Sequence, residues 1–177
     1  MPRGPIGRIV ARMMEKSNRD RNSFVISLLN LQPADYVLEV GYACGMDMIR
    51  VSQKVTNGLV MGVDHSESMF NLASKRNKKL LESGRMQLHV GPATKLPFAY
   101  PYFDKVFSID VAQYAKDPVK DFRELKRVLR EGGMAVVAME GQDEQAAERL
   151  RADFEKADFK NVQLDQSPHL ICVSGRK

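Results

Sequence analysis

Val37-Leu38-Glu39-Val40-Gly41-Tyr42-Ala43-Cys44-Gly45, followed by Leu59-Val60-Met61-Gly62-Val63-Asp64, decides how this chain reads. An apolar run ending in a small-residue turn, then a helix, then a second apolar run ending in an acid is the layout of a nucleotide-binding βαβ unit. Gly41, Ala43 and Gly45 let the backbone turn tightly and come close to a ligand. Asp64 ends the second strand, where a carboxylate can accept hydrogen bonds from both ribose hydroxyls. A small-residue turn alone would equally fit an ordinary strand-to-helix connection; the acid at this offset favours a ligand site.

Working outward, Tyr36 to Val40 and Leu59 to Asp64 are predicted strands, nearly continuous in apolar character as in a sheet buried on both faces. Gly45 to Val55 joins them as a helix. Ser66 is the expected N-cap of a helix running through Met69, Leu72, Ala73 and Leu80-Leu81. Met86 to Val90 and Phe103 to Asp110 read as further strands, separated by the loop Gly91-Pro92-Ala93-Thr94-Lys95-Leu96-Pro97-Phe98. Pro118 opens a helix expected to stop at Gly132-Gly133, before a strand from Met134 to Met139. A last helix from Gly141-Gln142-Asp143 to Ala157 precedes two strands, Asn161 to Leu164 and His169 to Ser174, paired as a hairpin. Upstream, Ile6, Ile9, Val10, Met13 and Met14, then Phe24, Ile26, Leu28 and Leu29, recur at helical spacing and predict two N-terminal helices. The expected fold is α/β: a doubly wound, seven-stranded mixed sheet with N-terminal helices. It forms a single domain over 1–177, with 1–32 as a helical cap and 33–177 as the core.

The bulk properties narrow the class. A chain of 177 residues with 44% hydrophobic and 28% charged residues can bury a full core without disulfides. No apolar run reaches the ~20 residues that span a bilayer, and Met1-Pro2-Arg3-Gly4-Pro5 lacks a secretory apolar core, so a cytoplasmic location is expected. Cys44 and Cys172 show no CxxC spacing, and no metal site is indicated. The net charge of +5 would suit an anionic partner. Yet Lys75-Arg76-Asn77-Lys78-Lys79 carries no interleaved aromatics, so a solvated helix face is preferred over a nucleic-acid surface.

Five spaced motifs together resemble the class I S-adenosylmethionine-dependent methyltransferases, in particular the small-molecule and ubiquinone-biosynthesis-like group. They are Val37-Leu38-Glu39-Val40-Gly41, Gly62-Val63-Asp64-His65-Ser66, Leu96-Pro97-Phe98, Phe103-Asp104-Lys105-Val106 and Leu125-Lys126-Arg127-Val128-Leu129-Arg130-Glu131-Gly132-Gly133. The resemblance implies a Rossmann-like methyltransferase fold whose N-terminal helices fold over the cofactor, S-adenosylmethionine, with S-adenosylhomocysteine as product. It implies that Glu39 and the turn Gly41, Tyr42, Ala43, Gly45 face the methionine part, through the amino group or ordered water, and that Asp64 binds the ribose. It also places His65 and Met69 at the adenine, Ala93 and Thr94 at its edge, and Asp110 and Val111, with Ala112, near the sulfonium. His65 is equally readable as an exposed loop residue and Met69 as core. Two positions depart from the family pattern: Ala43 stands where glycine is common, and Pro92 where an acidic or hydroxyl residue often meets adenine.

The implied reaction is methyl transfer to a small-molecule acceptor by in-line displacement, which asks the protein mainly to align the acceptor and exclude water. A general base is needed only for an acceptor that must lose a proton. Asp110, Gln113 and Tyr114 are the candidates, with Tyr42 and Glu140 nearby, and none shows a base-plus-orienter pattern. Asp110-Val111-Ala112-Gln113 is unlike the Asn/Asp-Pro-Pro-Tyr/Phe of nucleobase amino-methylating enzymes, and no Pro-Cys nucleophile occurs. The short connection after Met139 leaves the acceptor to the N-terminal helices or to a second subunit, so a homodimer or a partner subunit stays open. The alternatives are a catalytically weak cofactor-binding partner subunit, an RNA or protein methyltransferase using the basic N-terminal helices and, more weakly, an NAD-type oxidoreductase.

Overall fold

A computed structural model describes residues 20–167 and 169–177. Helix α1 is described over residues 20–28; the predicted helix through Ile6 to Met14 lies outside the described residues. The elements that follow are β1 (Tyr36–Val40), α2 (Met46–Lys54), β2 (Leu59–Asp64), α3 (Glu67–Arg76), α4 (Lys78–Glu82), β3 (Met86–Val90) and β4 (Phe103–Ile109). A 3₁₀ turn (Ala112–Tyr114), α5 (Pro118–Val128), β5 (Leu129–Glu140), α6 (Glu144–Lys156), β6 (Lys160–Ser167) and β7 (Leu170–Arg176) complete the chain.

Seven strands form one sheet in the order β3-β2-β1-β4-β5-β7-β6. The strands from β3 to β5 are parallel, while β7 runs antiparallel to both β5 and β6. Alternate residues feed opposite faces, as the period of a strand requires. Leu38, Val40, Met61, Val63, Val106, Ala135 and Val137 pack under α5 and α6 against Phe122, Leu125 and Phe154. Val37, Val60, Phe107, Val136 and Ala138 pack under α1 and α2 against Val25, Ile26, Leu29, Met48 and Val51. The strand order reverses between β1 and β4, so their carboxyl ends diverge into the crevice where ligands bind in doubly wound sheets.

Three local expectations need correction. The helix from Ser66 is interrupted at Asn77, giving α3 and α4. The Asn77 side chain, 2% exposed, donates to the carbonyls of Gly45 (3.3 Å) and Ala73 (3.0 Å), and this tertiary bond to the β1–α2 turn breaks the helix. Second, α5 stops at Val128 rather than at Gly132-Gly133. Leu129 is already extended and pairs with Phe103; the chain re-enters register only at Met134 opposite Lys105, so both glycines lie in an irregularity of β5. Gly132 takes φ +75° there, and a Cβ on Gly133 would stand 2.8 Å from the Arg130 carbonyl oxygen. The hairpin strands also run longer than the sequence indicates.

Candidate active site

The β1–α2 turn is built on left-handed residues at every second position. Gly41, Ala43 and Gly45 have φ of 84°, 45° and 72°. Gly41 N–H donates to the Val63 carbonyl (2.7 Å) and Gly45 N–H to the Tyr42 carbonyl (2.7 Å), tying the turn to β2 and to itself. A non-glycine residue in this region costs about 1–2 kcal/mol, and Ala43 has a compensating bond: its N–H donates to Asp64 Oδ2 at 2.8 Å. The other oxygen, Oδ1, accepts Ser66 N–H at 2.9 Å. Asp64, 6% exposed, therefore joins the first turn to the N-terminus of α3, and each oxygen keeps a second acceptor position for a ligand hydroxyl. Ser66 caps α3 by accepting Met69 N–H (3.3 Å).

Glu39 lies one strand residue before this turn, 3% exposed on the face that packs under α1 and α2. Among the described residues its buried Oε2 has no hydrogen-bond partner. Burial holds its carboxyl well above the ordinary glutamate range, with Asp47, Cys44 and Asp64 adding to the shift and Arg50 opposing it. Asp47, in the first turn of α2, is held by an ion pair with Arg50 and by Asn22 Nδ2 of α1 at 2.6 Å. A buried acid with a free acceptor oxygen and further acids around it fits a cationic group such as the ammonium of an amino-acid moiety.

On the far side of the crevice Asp110 also takes a left-handed conformation, φ 57°. Arg21 of α1 reaches it at 2.5 Å and lies 3.7 Å from Glu140, while Asp110 Oδ1 accepts Glu140 N–H at 2.9 Å. Thus α1 is fastened across the carboxyl ends of β1, β4 and β5 by Asn22 on one side and Arg21 on the other. Val111 closes on the turn: a Cβ at Gly41 would stand 2.3 Å from Val111 Cγ2. Beneath lies a cavity of about 20 Å³, room for one water, lined by Val40, Ala93, Ser108, Val111, Ala112 and Asp121 among others. A larger cavity of about 430 Å³ lies at the amino end of the sheet, around Met134, Asn161 and Arg176, away from these residues.

The structure thus brings Glu39, Gly41, Ala43, Gly45, Asp64, Ala93, Asp110 and Val111 together at the carboxyl ends of β1, β2 and β4. His65 and Thr94 are exposed on the rim and Met69 is half-buried. Gln113 and Tyr114 are exposed on the 3₁₀ turn. Tyr42 differs: its side chain is 2% exposed in the core, its hydroxyl lies 3.4 Å from the His89 carbonyl, and burial followed by Asp64 pushes its pKa up to about 12. It stays protonated near neutral pH and is no base there. The sequence reading missed Arg21 and Asn22, whose partners are set by tertiary contacts, and the Asp47–Arg50 pair, for which an acid in the first turn of α2 and a base three residues on were the available signals.

Over residues 38–137 the chain matches the methyltransferase domain family. It belongs to that family. The methyltransferase is therefore S-adenosylmethionine-dependent, and it is 26% identical over 181 residues to the uncharacterized methyltransferase YdaC of Bacillus subtilis, covering 96% of this chain and 98% of YdaC. It spans only 34–49% of several longer curated O- and C-methyltransferases that it also matches. Its fold is shared by an S-adenosylmethionine-dependent methyltransferase of Aquifex aeolicus, with TM-score 0.72 and 20% identity over 87% of this chain and 88% of that one. It is also shared by a Haloferax volcanii methyltransferase solved with the Trm112 activator, with TM-score 0.76 and 18% identity over 92% of each. Among the described residues no helix is long and apolar enough to cross a membrane.

Proposed function

We propose that this methyltransferase binds S-adenosylmethionine across the carboxyl ends of β1, β2 and β4 and transfers its methyl group to a small-molecule acceptor. The observation that carries the reading is Glu39: a buried acid with an oxygen unpartnered among the described residues, just before the left-handed turn and beside Asp47 and Asp64. An uncompensated buried carboxylate is costly unless a cation completes it, and the amino group of the cofactor is such a cation. Asp64 holds the ribose with its two remaining acceptor positions, and the Gly41–Gly45 turn lets the backbone approach. Ala93, Thr94, His65 and Met69 border the nucleobase, and Asp110 with Val111 borders the reacting end.

When bound, the sulfonium supplies an already activated electrophile, so the chain's task is alignment and exclusion of water. Arg21 and Asn22 perform the exclusion by fastening α1 over the crevice. Asp110 is occupied by Arg21 and the Glu140 amide, which suits it to shaping the site; Tyr114 and Gln113 are exposed beside it and are positioned to touch the acceptor. A narrow crevice under a fastened helix, with a short connection between β5 and α6, favours a small acceptor over a macromolecular surface.

Calorimetric titration tests the reading. Micromolar binding of S-adenosylmethionine and S-adenosylhomocysteine, none of NAD, and loss of both in Asp64→Ala is the expected result; indifference to Asp64→Ala would overturn the site assignment. A second reading, activity that depends on a small partner subunit, draws on the likeness to the Haloferax volcanii protein solved with its activator. Full turnover by the isolated chain would exclude it.

A further inference from the structure

Two of the motifs, Leu96-Pro97-Phe98 and the α5 segment around Arg127, are far apart in sequence and have no assigned role in the crevice, yet they meet in the fold. The connection from β3 to β4, residues 91–102, has no helix or strand. Its ends are pinned by Gly91 N–H on the Asp64 carbonyl (2.9 Å) and Tyr102 N–H on the Val128 carbonyl (2.8 Å). Between these ends Leu96 is 3% exposed in the core, and Phe98 packs edge-on against His89 and Phe103 with ring centroids 5.4 and 4.8 Å away. Pro97 supplies no N–H. Within the loop Lys95 N–H donates to the Pro92 carbonyl (3.2 Å) and Phe98 N–H to the Leu96 carbonyl (2.8 Å), and α5 takes three further backbone bonds. Glu124 Oε2 accepts Leu96 N–H (3.0 Å), Arg127 Nη1 donates to the Phe98 carbonyl (2.6 Å), and Arg127 Nη2 donates to the Leu96 carbonyl (3.3 Å). The pair is itself locked: Arg127 Nε and Nη2 each donate to a Glu124 oxygen at 2.8 Å. This hydrogen bond holds the Glu124 carboxyl below its usual range and raises the guanidinium above its own.

We propose that Glu124 and Arg127 are positioning residues for the cofactor: from the outside of the sheet they clamp the loop that carries Ala93 and Thr94, and so fix the nucleoside edge of the crevice. Ala93 lines the small cavity with Val40 and Val111, which places the clamped loop against the β1 turn. The fork of arginine is required. It satisfies both carboxylate oxygens and still reaches two carbonyls, which a lysine ammonium cannot do in the same geometry. The proposal rests on the cofactor-site reading above.

The test compares Arg127→Ala, Arg127→Lys, Glu124→Gln and Glu39→Gln by titration with S-adenosylhomocysteine and with adenosine, together with amide hydrogen exchange. In Arg127→Ala the dissociation constants for both ligands rise by the same factor, about tenfold, equivalent to about 1.4 kcal/mol. Exchange accelerates in residues 91–98 while β5 and β7 stay protected. Arg127→Lys loses most of that affinity, and Glu124→Gln, which keeps an acceptor for Leu96 N–H, loses less. Glu39→Gln weakens S-adenosylhomocysteine but not adenosine. Unchanged affinity in Arg127→Ala despite faster loop exchange would overturn the clamp, as would a loss confined to S-adenosylhomocysteine. If the unaltered chain binds neither ligand, the cofactor-site reading falls and the clamp's role falls with it, a result distinct from either of the others.

Discussion

The carboxyl ends of β1, β2 and β4 and the block formed by β5, β7 and α6 belong to one sheet but are built on opposite principles. In the block, Phe154 is fully buried, stacked on Phe159 at 4.3 Å between ring centroids and tilted against Phe122 at 4.9 Å. β5 and β7 pair without interruption from Met134↔Arg176 to Glu140↔Leu170. The crevice instead gathers buried polar atoms that have no partner among the described residues: Glu39 Oε2, Arg21 Nε, Asn22 Oδ1, Asn77 Oδ1 and, beneath the loop, His89 Nε2 and Asp121 Oδ1. Each unmet buried group costs about 1–3 kcal/mol. The block supplies packing that offsets the cost of the unmet polar groups at the crevice.

Substitutions on the two sides should then act in opposite senses, the largest effect lying in the block. Phe154→Ala removes a fully buried ring and should lower unfolding free energy by about 3–5 kcal/mol in urea titration, while leaving the S-adenosylhomocysteine affinity of the folded fraction unchanged. A parallel loss of affinity would break the division.

Glu39→Gln should do the reverse, weakening S-adenosylhomocysteine binding about tenfold or more while stabilising the ligand-free chain at neutral pH. The sign follows from its raised folded pKa. The folded chain keeps the Glu39 proton to higher pH than the unfolded chain, so the group's contribution is whole below its ordinary value of 4.5 and is lost as pH rises through the folded value. Melting temperatures of parent and variant should therefore converge at acid pH and separate toward neutrality, with the variant higher. A variant lower at all pH values would show that Glu39 is structural.

Arg21→Ala sharpens the boundary between the regions with the smallest effect. Arg21 and Asp110 are partly exposed, 15% and 30%, so stability should fall by only about 1 kcal/mol. Release of S-adenosylhomocysteine in stopped flow should nonetheless be faster, because α1 loses its hold on β4 and β5.

Much of the fold was legible because buried parallel strands write themselves as apolar runs. Tyr36–Val40, Leu59–Asp64 and Met86–Val90 begin and end where the sequence places them, and Ser66 caps α3 as read. The failures share one cause. The break at Asn77, the strand character of Gly132-Gly133 and the burial of Tyr42 all depend on partners remote in sequence: Gly45, the β4 edge and the core behind β2. Of the crevice, the turn and Asp64 were legible because backbone geometry there demands small residues and an acid at a set distance. Arg21, which meets a partner 89 residues away, left no such trace.

By itself, then, the sequence determined the alternation of strands and helices, the faces they bury and the turn with its acid, since these follow from local spacing and the steric needs of the backbone. Tertiary structure alone decided that Glu39 Oε2 would have no partner among the described residues, that α1 would be fastened over the crevice, and that α5 would grip the loop beside it. Those outcomes depend on which charged and polar groups the packed sheet brings within hydrogen-bonding distance, and spacing along a chain does not encode that distance.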